Sequence, residues 1–450
     1  MKSACVKNIS LMKLFKMTFV KQLVGALLVI GLIGCGGRTE PAPAYRISGS
    51  LGGLLDGNTV KLLNNGSDAL NLTGNGAFTF SAAVRGSYAV TVDVQPSWQQ
   101  CSVSSGSGSA NADVSNVSLQ CVDVEPVVAT LAGSATAGST DASGTSASFD
   151  SPRGVALGAD GTLYVADTAN NKIRKVTTAG GVSTWVGSGA IGSADGSGTS
   201  ATFYRPWSLA VDASGVVYVA DELNHTIRKI TADGVVSTLA GSGAKGGADA
   251  SGSSASFDTP HGVAVAADGY VYVADTENHK IRKISPAGVV TTFAGSGSRG
   301  STDGTGASAS FSGPRGVTFD AEGVLYVADT INHKIRKITP DGVVTTLAGS
   351  GVAGYANASG VSASFEYPYS VGVDAQGHVY VADAYNHRIR KITPSGLVTT
   401  LSGSATSGST DGQGPLASFD NPVGLAVSAD GSVFVVEYNS HTIRKITPAP

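Results

Sequence analysis

The sequence predicts an all-β chain, most of which forms one ring of repeated four-stranded units. One phrase, Tyr272-Val-Ala-Asp-Thr-Glu-Asn-His-Lys-Ile-Arg-Lys-Ile284, recurs with small changes six times at a constant spacing of 54 residues. Around each copy, short β-rich runs alternate with Gly, Pro and Asp turns, which predicts four strands per unit. Six units of four strands predict a six-bladed β-propeller. The copies begin at Tyr164, Tyr218, Tyr272, Tyr326, Tyr380 and Phe434.

The third unit illustrates the four strands, which we call a to d in chain order. Strand a is predicted over Gly262–Ala266, and the repeated phrase supplies strands b and c as a hairpin. Strand d follows at Val289–Phe293. The intervening Ala267-Asp268-Gly269 and Ser285-Pro286-Ala287-Gly288 are turn sequences, because Pro presets φ and Gly permits positive φ.

The two ends of the repeat region predict that the ring closes. The last unit has a strand c at Ile443-Arg-Lys-Ile446 but no strand d after it. Val127–Gly133 precedes the first unit and matches the d strands Val235–Gly241 and Val343–Gly349 in phase. We therefore expect this N-terminal strand to complete the sixth blade, so that 127–450 forms a closed ring without an unpaired edge.

The repeated phrase resembles the NHL repeat, which is named after an Asn-His-Leu core. Asn-His occurs at 224–225, 278–279, 332–333 and 386–387, while the first copy has Asn170-Asn171 and the last has Ser440-His441. Ile replaces the Leu, two positions after the His. The resemblance covers 127–450 and implies a six-bladed NHL propeller.

Residues 1–35 are predicted to be a lipoprotein signal peptide. A basic stretch precedes the uncharged run Leu23–Ile33, which is too short to span a membrane as a mature helix. Leu32-Ile33-Gly34-Cys35 resembles the bacterial lipobox, which implies a lipidated Cys35; an ordinary signal peptide or anchor is the alternative. No Asp follows Cys35, which by resemblance implies the outer membrane of a bacterial cell envelope, facing the periplasm or the cell surface. Residues 36–43 are predicted to be a tether.

Residues 44–124 are predicted to form a small β-sandwich, similar to the immunoglobulin-like domains of bacterial surface lipoproteins. Alternating apolar residues predict strands, and Asn64-Asn65-Gly66 and Asn75-Gly76 predict hairpin turns. Cys101 and Cys121 predict a disulfide in an oxidising compartment. We expect this domain to act as a stalk, joined to the propeller by the linker Val122–Pro126. The predicted strands are Tyr45–Leu51, Thr59–Asn64, Ala77–Ala82 and Tyr88–Val94.

Composition constrains the partners. Gly accounts for 60 of 450 residues, and these glycines recur in phase at predicted turns, so they do not indicate disorder. The net charge of −3 provides no field for nucleic acid, and export also argues against such a partner. We expect a monomer that does not bind nucleic acid.

The candidate binding surface is the propeller face that carries the long d–a crossovers and the b–c turns, since long loops on a rigid scaffold usually carry function. Six residues that follow the Pro opening strand a are expected to surround the mouth of the central channel. Arginine forks bind carboxylates or phosphates, and aromatic rings provide flat contact area. The alternative is that these side chains plug the channel. The six residues are Arg153, Trp207, His261, Arg315, Tyr369 and Val423, with Tyr204, Arg205, Tyr355 and Tyr367 nearby.

Other repeated residues are interpreted as structural. An Asp that ends strand b and an Arg in strand c recur in every unit, which predicts an ion pair or turn network. The recurring Phe is predicted to pack between blades and the recurring His to satisfy its turn. Asp195, Asp303 and Asp411 offer one carboxylate per crossover loop, a weak signal for Ca²⁺, and no cofactor or metal site is assigned.

The sequence therefore favours a lipid-anchored interaction module whose propeller binds a protein, peptide or glycan. One alternative is an enzyme with a site at the channel mouth, either a metal-dependent lyase or a lactonase-like hydrolase. Only Pro260-His261 matches the zinc-binding positions of the similar peptidylglycine lyase propeller, and Asp212, Asp320 and Asp374 stand in turn context at the far end of strand a. No catalytic residue is assigned. The other alternative is a purely structural envelope protein.

Overall fold

The computed structural model describes residues 42–449. The predicted signal peptide, the lipidation site Cys35 and most of the 36–43 tether lie outside the described residues. Helical structure within them consists of three-residue 3-10 turns. No helix of the described part is long and apolar enough to cross a bilayer.

The predicted six-bladed propeller is confirmed. Each blade is a sheet in which strands a, b, c and d are antiparallel neighbours in that order. Three blades gain a two-residue strand beside strand d, at Gly196–Ser197, Gly304–Thr305 and Gly412–Gln413. Blade 1 comprises Gly154–Leu157, Leu163–Asp167, Lys172–Val176 and Val182–Val186; blade 2 Pro206–Val211, Val217–Asp221, Thr226–Ile230 and Val235–Ala240; blade 3 Pro260–Val265, Val271–Asp275, Lys280–Ile284 and Val290–Ala294. Blade 4 comprises Pro314–Phe319, Leu325–Asp329, Lys334–Ile338 and Val343–Ala348; blade 5 Pro368–Val373, Val379–Asp383, Arg388–Ile392 and Val398–Ser402; and blade 6 Pro422–Val427, Val433–Glu437 and Thr442–Pro448.

Blade 6 is closed by a strand from the other end of the ring, as expected. Pro126–Ala132 pairs antiparallel with Thr442–Pro448, with Val128 opposite Ile446. This strand occupies the position of strand d, so the propeller has no open blade. The pairing also fixes the ring at six blades.

The 3-10 turns lie on the face that carries the crossovers. Six occur in the d–a crossovers, and three form the b–c turns of blades 2, 4 and 5. The crossover turns are Gly144–Ser146, Gly198–Ser200, Gly252–Ser254, Gly306–Ser308, Gly360–Ser362 and Gly414–Leu416. The b–c turns are Glu222–Asn224, Thr330–Asn332 and Ala384–Asn386.

Hydrophobic cores lie between neighbouring blades. Phe311, which ends the crossover into blade 4, is fully buried between Tyr272 and Ile281 of blade 3 and Val327 of its own blade. The equivalent phenylalanines of the other blades are also fully or almost fully buried, which agrees with the predicted inter-blade packing. They are Phe149, Phe203, Phe257, Phe365 and Phe419.

The predicted ion pair is present in every blade, and in five of the six blades the Arg also bonds a second acid. In blade 3, Arg282 donates from Nη1 to Asp275 Oδ2 (2.6 Å) and from Nη2 to Asp249 Oδ1 (2.6 Å). Asp275 also accepts from the Asp258 N–H (2.8 Å) and the Asn278 amide (2.9 Å). Arg282 and Asp275 are fully buried, so each charge is compensated by the other in a place that water does not reach.

This network also accounts for the acidic crossover residues. Asp195, Asp303 and Asp411, considered above as weak Ca²⁺ ligands, each accept from the buried Arg of their blade, at 2.6 to 2.8 Å. Blade 5 has Asn357 at this position instead of Asp.

The side chain of the repeated His bonds the next blade and makes no hydrogen bond within its own turn, contrary to the prediction. His279 adopts a left-handed conformation (φ 53°), and its Nδ1 accepts from the Gly313 N–H of the next blade at 3.2 Å. Four other histidines make the same bond, and Asn171 replaces the His in blade 1 by accepting from the Arg205 N–H through its side-chain oxygen. The four are His225, His333, His387 and His441.

The N-terminal domain contains eight strands in two four-stranded sheets around one hydrophobic core, twice the number of strands predicted. The predicted Cys101–Cys121 disulfide is present and joins two paired strands. Asn65 and Gly66 form the predicted hairpin turn, but the prediction for Asn75-Gly76 was wrong: the strands on either side belong to different sheets, and Asn75 instead bonds Leu54. The strands are Ile47–Gly52, Val60–Asn64, Asp68–Leu72, Gly76–Thr79, Gly86–Val94, Gln99–Ser104, Ser107–Ala110 and Val114–Asp123.

The N-terminal domain packs against the short-turn face of blade 5, opposite the crossovers. Trp98 Nε1 donates to the hydroxyl of Tyr380 (2.8 Å), which donates to Asp374 Oδ2 (2.9 Å). His378, fully buried, bridges Asp374 Oδ2 (3.1 Å) and the Asp56 carbonyl (3.4 Å). Only residues 124 and 125 separate the two domains' strands, so the linker is shorter than predicted and the domain contacts the propeller directly.

Candidate functional site

The six a strands surround a narrow central channel of about 260 Å³. Glycines directly after the mouth positions let neighbouring a strands approach closely: a Cβ on Gly262 would lie 1.9 Å from the Arg315 carbonyl oxygen. Beyond the mouth the lining is mostly aliphatic, as with Val263 and Leu425, and its polar side chains are Ser208, Ser370 and Thr318. The charged groups of the channel lining are therefore confined to its mouth on the crossover face.

The mouth is built around a stack of planar side chains. The Arg153 guanidinium lies between two rings, with its Cζ 3.7 Å from the Trp207 ring and 4.3 Å from the Tyr438 ring. On its other side Trp207 stacks on His261, with the ring centroids 3.7 Å apart and the planes at 15°. Such stacking fixes the planes of all four groups.

A second guanidinium lies on the opposite side of the mouth. Arg315 Cζ is 4.1 Å from the Tyr369 ring and 5.9 Å from the Trp207 ring, so both arginines lie close to the same indole. Val423 completes the ring and is buried. Arg153, Trp207, Arg315 and Tyr369, which were predicted to surround the mouth, all line the channel.

Charge at the mouth is unbalanced. Glu222 is its one nearby acid among the described residues: its Oε2 lies 3.4 Å from Arg205 Nε, and its Oε1 lies 3.6 Å from His261 Nε2. Burial acts to raise the pKa of Glu222, but His261, Arg205 and Arg153 outweigh it and the pKa is lowered, so Glu222 is ionised. Arg205 lies beside it, which leaves Arg153 and Arg315 without a carboxylate.

His261 lies beneath the stack and is only 4% exposed. Burial lowers its pKa to about 4, with Arg315 and Arg153 contributing in the same direction and Glu222 opposing them. The ring is therefore neutral at physiological pH. Neither ring nitrogen has a hydrogen-bond partner within residues 42–449.

The mouth arginines also have buried donors without partners. Arg153 Nε and both Nε and Nη1 of Arg315 form no hydrogen bond within the described chain. The Nε of every strand-c arginine is also unpaired, so the donor that distinguishes the mouth is Arg315 Nη1. Buried donors are usually paired, because an unpaired one loses its hydration without compensation. The mouth is thus a preformed cationic and aromatic cradle whose two guanidinium groups have no carboxylate partner among the described residues.

Some predicted neighbours lie elsewhere. Tyr204 and Tyr367 do not line the channel, and Tyr367 packs on His333 and Tyr385 (centroids 4.8 and 4.9 Å away). Tyr355 lies beneath the Arg388 guanidinium (3.9 Å) at the border with the N-terminal domain. Tyr355 and Tyr367 therefore contact other side chains than those stacked at the mouth.

Two mouth residues, Glu222 and Tyr438, were missed by sequence reasoning. Both occupy the position after the repeated acid, where Thr168, Thr276 and Thr330 instead donate to the carbonyl of a strand-a Pro in the next blade. A large or charged residue replacing Thr at this position was the available signal.

The residues considered for the enzyme alternatives do not form a site. Asp212 and Asp320 accept from their own a–b turns at the far end of the channel, and Asp374 binds His378 and Tyr380. Within residues 42–449, no three His, Cys, Asp or Glu side chains cluster as metal ligands would.

Comparisons with known proteins identify the repeat. Six segments match the model of the NHL repeat: 149–176, 203–230, 257–284, 311–338, 365–392 and 419–446. The Arabidopsis thaliana protein SUPPRESSOR OF QUENCHING 1, chloroplastic, is 32% identical over 278 residues, which cover 58% of this chain and 26% of that protein. NHL repeat-containing protein 2 of Bos taurus is 29% identical over 322 residues, covering 63% of this chain and 44% of that protein. The chain therefore spans less than half of either relative.

Solved structures share the fold. A Bacteroides thetaiotaomicron protein of unknown function superposes with a TM-score of 0.59 at 18% identity, covering 86% of this chain and 90% of the other. An auxiliary nutrient binding protein of the same organism gives a TM-score of 0.56 at 16% identity, with coverage of 86% and 90%. Because the sequence identities are this low, the similarity shows only that the fold is shared.

Proposed function

This chain is an NHL-repeat propeller protein, and from that premise we propose that it is a binding module whose channel mouth holds a carboxylate-bearing ligand. The observation that carries the proposal is the pair Arg153 and Arg315, two partly buried guanidinium groups without a carboxylate partner among the described residues. The strand-c arginines of the same propeller each have at least one carboxylate. A ligand carboxylate would supply the missing acceptor.

The surroundings favour a carboxylate attached to a flat or apolar group. Trp207 and Tyr369 flank the two cations and offer ring faces, on which sugar rings and apolar side chains pack well. Two ligand classes share this chemistry: a peptide with a free C-terminal carboxylate and a glycan that contains a uronic acid. In both, guanidinium–carboxylate hydrogen bonds would supply most of the specificity.

The place of action that we propose is the bacterial cell envelope, with Cys35 as the lipid anchor. The support is the basic stretch, apolar run and lipobox-like Leu32-Ile33-Gly34-Cys35 of the sequence, together with the Cys101–Cys121 disulfide. A protein of this fold that is described as nutrient-binding makes ligand capture the first role to test. Mass spectrometry of the membrane-extracted protein would test the anchor: an acylated Cys35 at the mature N-terminus supports it, and an intact 1–35 segment contradicts it.

The ligand proposal is tested by calorimetric titration with matched probes. A peptide set with free C-termini and the same set amidated represent one class, and oligogalacturonate and its methyl ester represent the other. We expect the free acids of one class to bind at least about tenfold more tightly than their blocked forms, equivalent to about 1.4 kcal/mol. Equal affinity for acid and blocked forms, or no binding of either class, would overturn the proposal.

The double variant Arg153→Gln/Arg315→Gln locates the site. It is expected to abolish the preference for the free acid while the circular dichroism and the unfolding midpoint stay close to those of the wild type. Arg205→Gln is the matched control, since Arg205 lies on the same face but beside Glu222. If Arg205→Gln removes the preference and the double variant does not, the mouth arginines are not the binding groups.

A further inference from the structure

Blade 5 contains a lysine whose environment differs from that of its five repeat equivalents. All six blades have Lys at this strand-c position, and five of these side chains are half-buried, some resting on aromatic rings of their own blade, as Lys283 rests on Tyr270 (4.2 Å). Lys391 is 6% exposed because the N-terminal domain covers it. The equivalents are Lys175, Lys229, Lys283, Lys337 and Lys445.

Lys391 has been buried without being given a counter-ion. Its Nζ forms no hydrogen bond or ion pair with residues 42–449, and burial lowers its pKa to about 8 against the attraction of Asp374 and Asp123. Asp374 is already bound by His378 and Tyr380, and Asp123 accepts from Gln99 (2.9 Å). An ammonium group taken out of water is unfavourable unless an anion or acceptor meets it.

Lys391 lines a groove between the N-terminal domain and blade 5. The groove has a volume of about 630 Å³, within the range of small-molecule pockets. Arg388 also lines the groove, but from the other face of the blade 5 sheet, because it is three residues from Lys391 on the same strand. Its guanidinium is held flat on the Tyr355 ring (Cζ at 3.9 Å). Lys391 therefore supplies the positive charge on the side of the groove that faces Trp98 and the N-terminal domain.

The opposite wall is formed by the end of the N-terminal domain and the linker, and it is acidic. Asp123 and Glu125 line it, and both are exposed. Leu55, Trp98 and Pro126 supply an apolar patch between the charged groups. A simple anion would be attracted by Lys391 but repelled by the two acids. A simple cation would be attracted by the acids but repelled by the lysine.

We propose that this groove binds a free α-amino acid, with its carboxylate against Lys391, its ammonium group against Asp123 and Glu125, and an apolar side chain against Trp98 and Leu55. A zwitterion pairs with the lysine and with the two acids at once, whereas a lone acid or a lone amine would pair with only one of them. The groove shares no lining residue with the central channel, so the site does not depend on what the mouth binds.

Calorimetric titration with L-leucine and L-phenylalanine tests the proposal, with 3-phenylpropionate and phenethylamine as the matched acid and amine. The full chain carries Arg153→Gln/Arg315→Gln in this titration, so that the carboxylate site proposed at the mouth does not contribute. We expect at least one amino acid to bind, with the acid and the amine each at least tenfold weaker. Failure of both amino acids to bind, or equal binding of 3-phenylpropionate, would overturn the proposal.

Substitutions then place the ligand. In the same background, Lys391→Met is expected to weaken amino-acid binding at least tenfold. Lys337→Met, at the same repeat position of blade 4, is the matched control and should leave binding unchanged. Because Met at 391 is expected to fold, unchanged binding to that variant would exclude the groove as the site.

Discussion

The propeller contains two sets of buried arginines that differ in how they are paired. Inside the blades, Arg282 and its equivalents donate from both terminal nitrogens to carboxylates and carbonyls, with Asn357 in place of one carboxylate in blade 5, and only their Nε has no partner. At the channel mouth, Arg153 and Arg315 are stacked on aromatic rings and have no carboxylate partner among the described residues. The first set is therefore neutralised within the fold, whereas the second set is the one that the proposed ligand carboxylate would neutralise.

Removing the inner acid of a paired set should have the largest effect. Asp275→Ala leaves Arg282 buried beside a single partly exposed acid, and we expect the free energy of unfolding to fall by about 3–5 kcal/mol. Urea denaturation at pH 7 measures the change. Asp341→Ala, in an exposed turn of blade 4, is the control and should change stability by less than about 0.5 kcal/mol. A loss below about 1 kcal/mol for Asp275→Ala would show that the network is not what holds the blade.

Lys391 extends the comparison to an unpaired cation that can lose its proton. Its pKa in the folded protein, about 8, is below the ordinary 10.5, so the folded state binds the proton less tightly than the unfolded state. The contribution of Lys391 to stability is then greatest above pH 10.5 and falls as the pH drops to about 8, by about 3 kcal/mol in total. Denaturation of the wild type and Lys391→Met between pH 7.5 and 10.5 tests this: the variant should lack the slope. Parallel curves would contradict the lowered pKa.

The inter-blade bond of the repeated His is expected to have an intermediate effect. His279→Ala leaves the buried Gly313 N–H without an acceptor and places Ala at positive φ, which should reduce the free energy of unfolding by about 1–3 kcal/mol. His279→Asn should recover most of that loss, since Asn171 makes the equivalent bond in blade 1 and Asn tolerates positive φ. Thermal unfolding of both variants measures these changes. If both variants lose the same free energy of unfolding, the inter-blade hydrogen bond is not the stabilising feature.

Replacing an unpaired mouth arginine should have the smallest effect on stability. Arg315→Met removes a guanidinium with two unpaired buried donors and keeps the bulk of the side chain, so we expect a change within about 0.5 kcal/mol, or a small gain. Urea denaturation without ligand measures it. A loss above about 2 kcal/mol would make Arg315 a structural plug of the channel and would remove the basis of the proposed ligand site.

The fold was predictable because the repeat constrains it at every level. A 54-residue period, in-phase turns and the matching strand at 127–133 are local patterns that need no knowledge of long-range contacts. The N-terminal domain has no repeat, and half of its strands were missed because short polar strands such as Ser107–Ala110 lack an alternating apolar pattern. Asn75-Gly76 shows the same limit: the dipeptide predicts a turn, but not which strands flank it.

The site was predictable only in part, for a similar reason. Arg153, Trp207, Arg315 and Tyr369 were found because they vary at one fixed position of an otherwise constant repeat. The repeat does not encode side-chain packing between blades. It therefore did not show that Trp207 covers His261, or that Tyr355 lies beside the N-terminal domain. The contact of the N-terminal domain through Trp98 and His378 likewise required the assembled structure.

The pairing of Pro126–Ala132 with Thr442–Pro448 has a consequence for biogenesis. The two strands that seal the ring are the first and last of the propeller to leave the ribosome, so the toroid stays open throughout synthesis. The N-terminal domain precedes both and contains all of its own strands, so it can mature while the propeller is still being delivered. Assembly of the mouth and of the groove is thus postponed until the sealing strands meet.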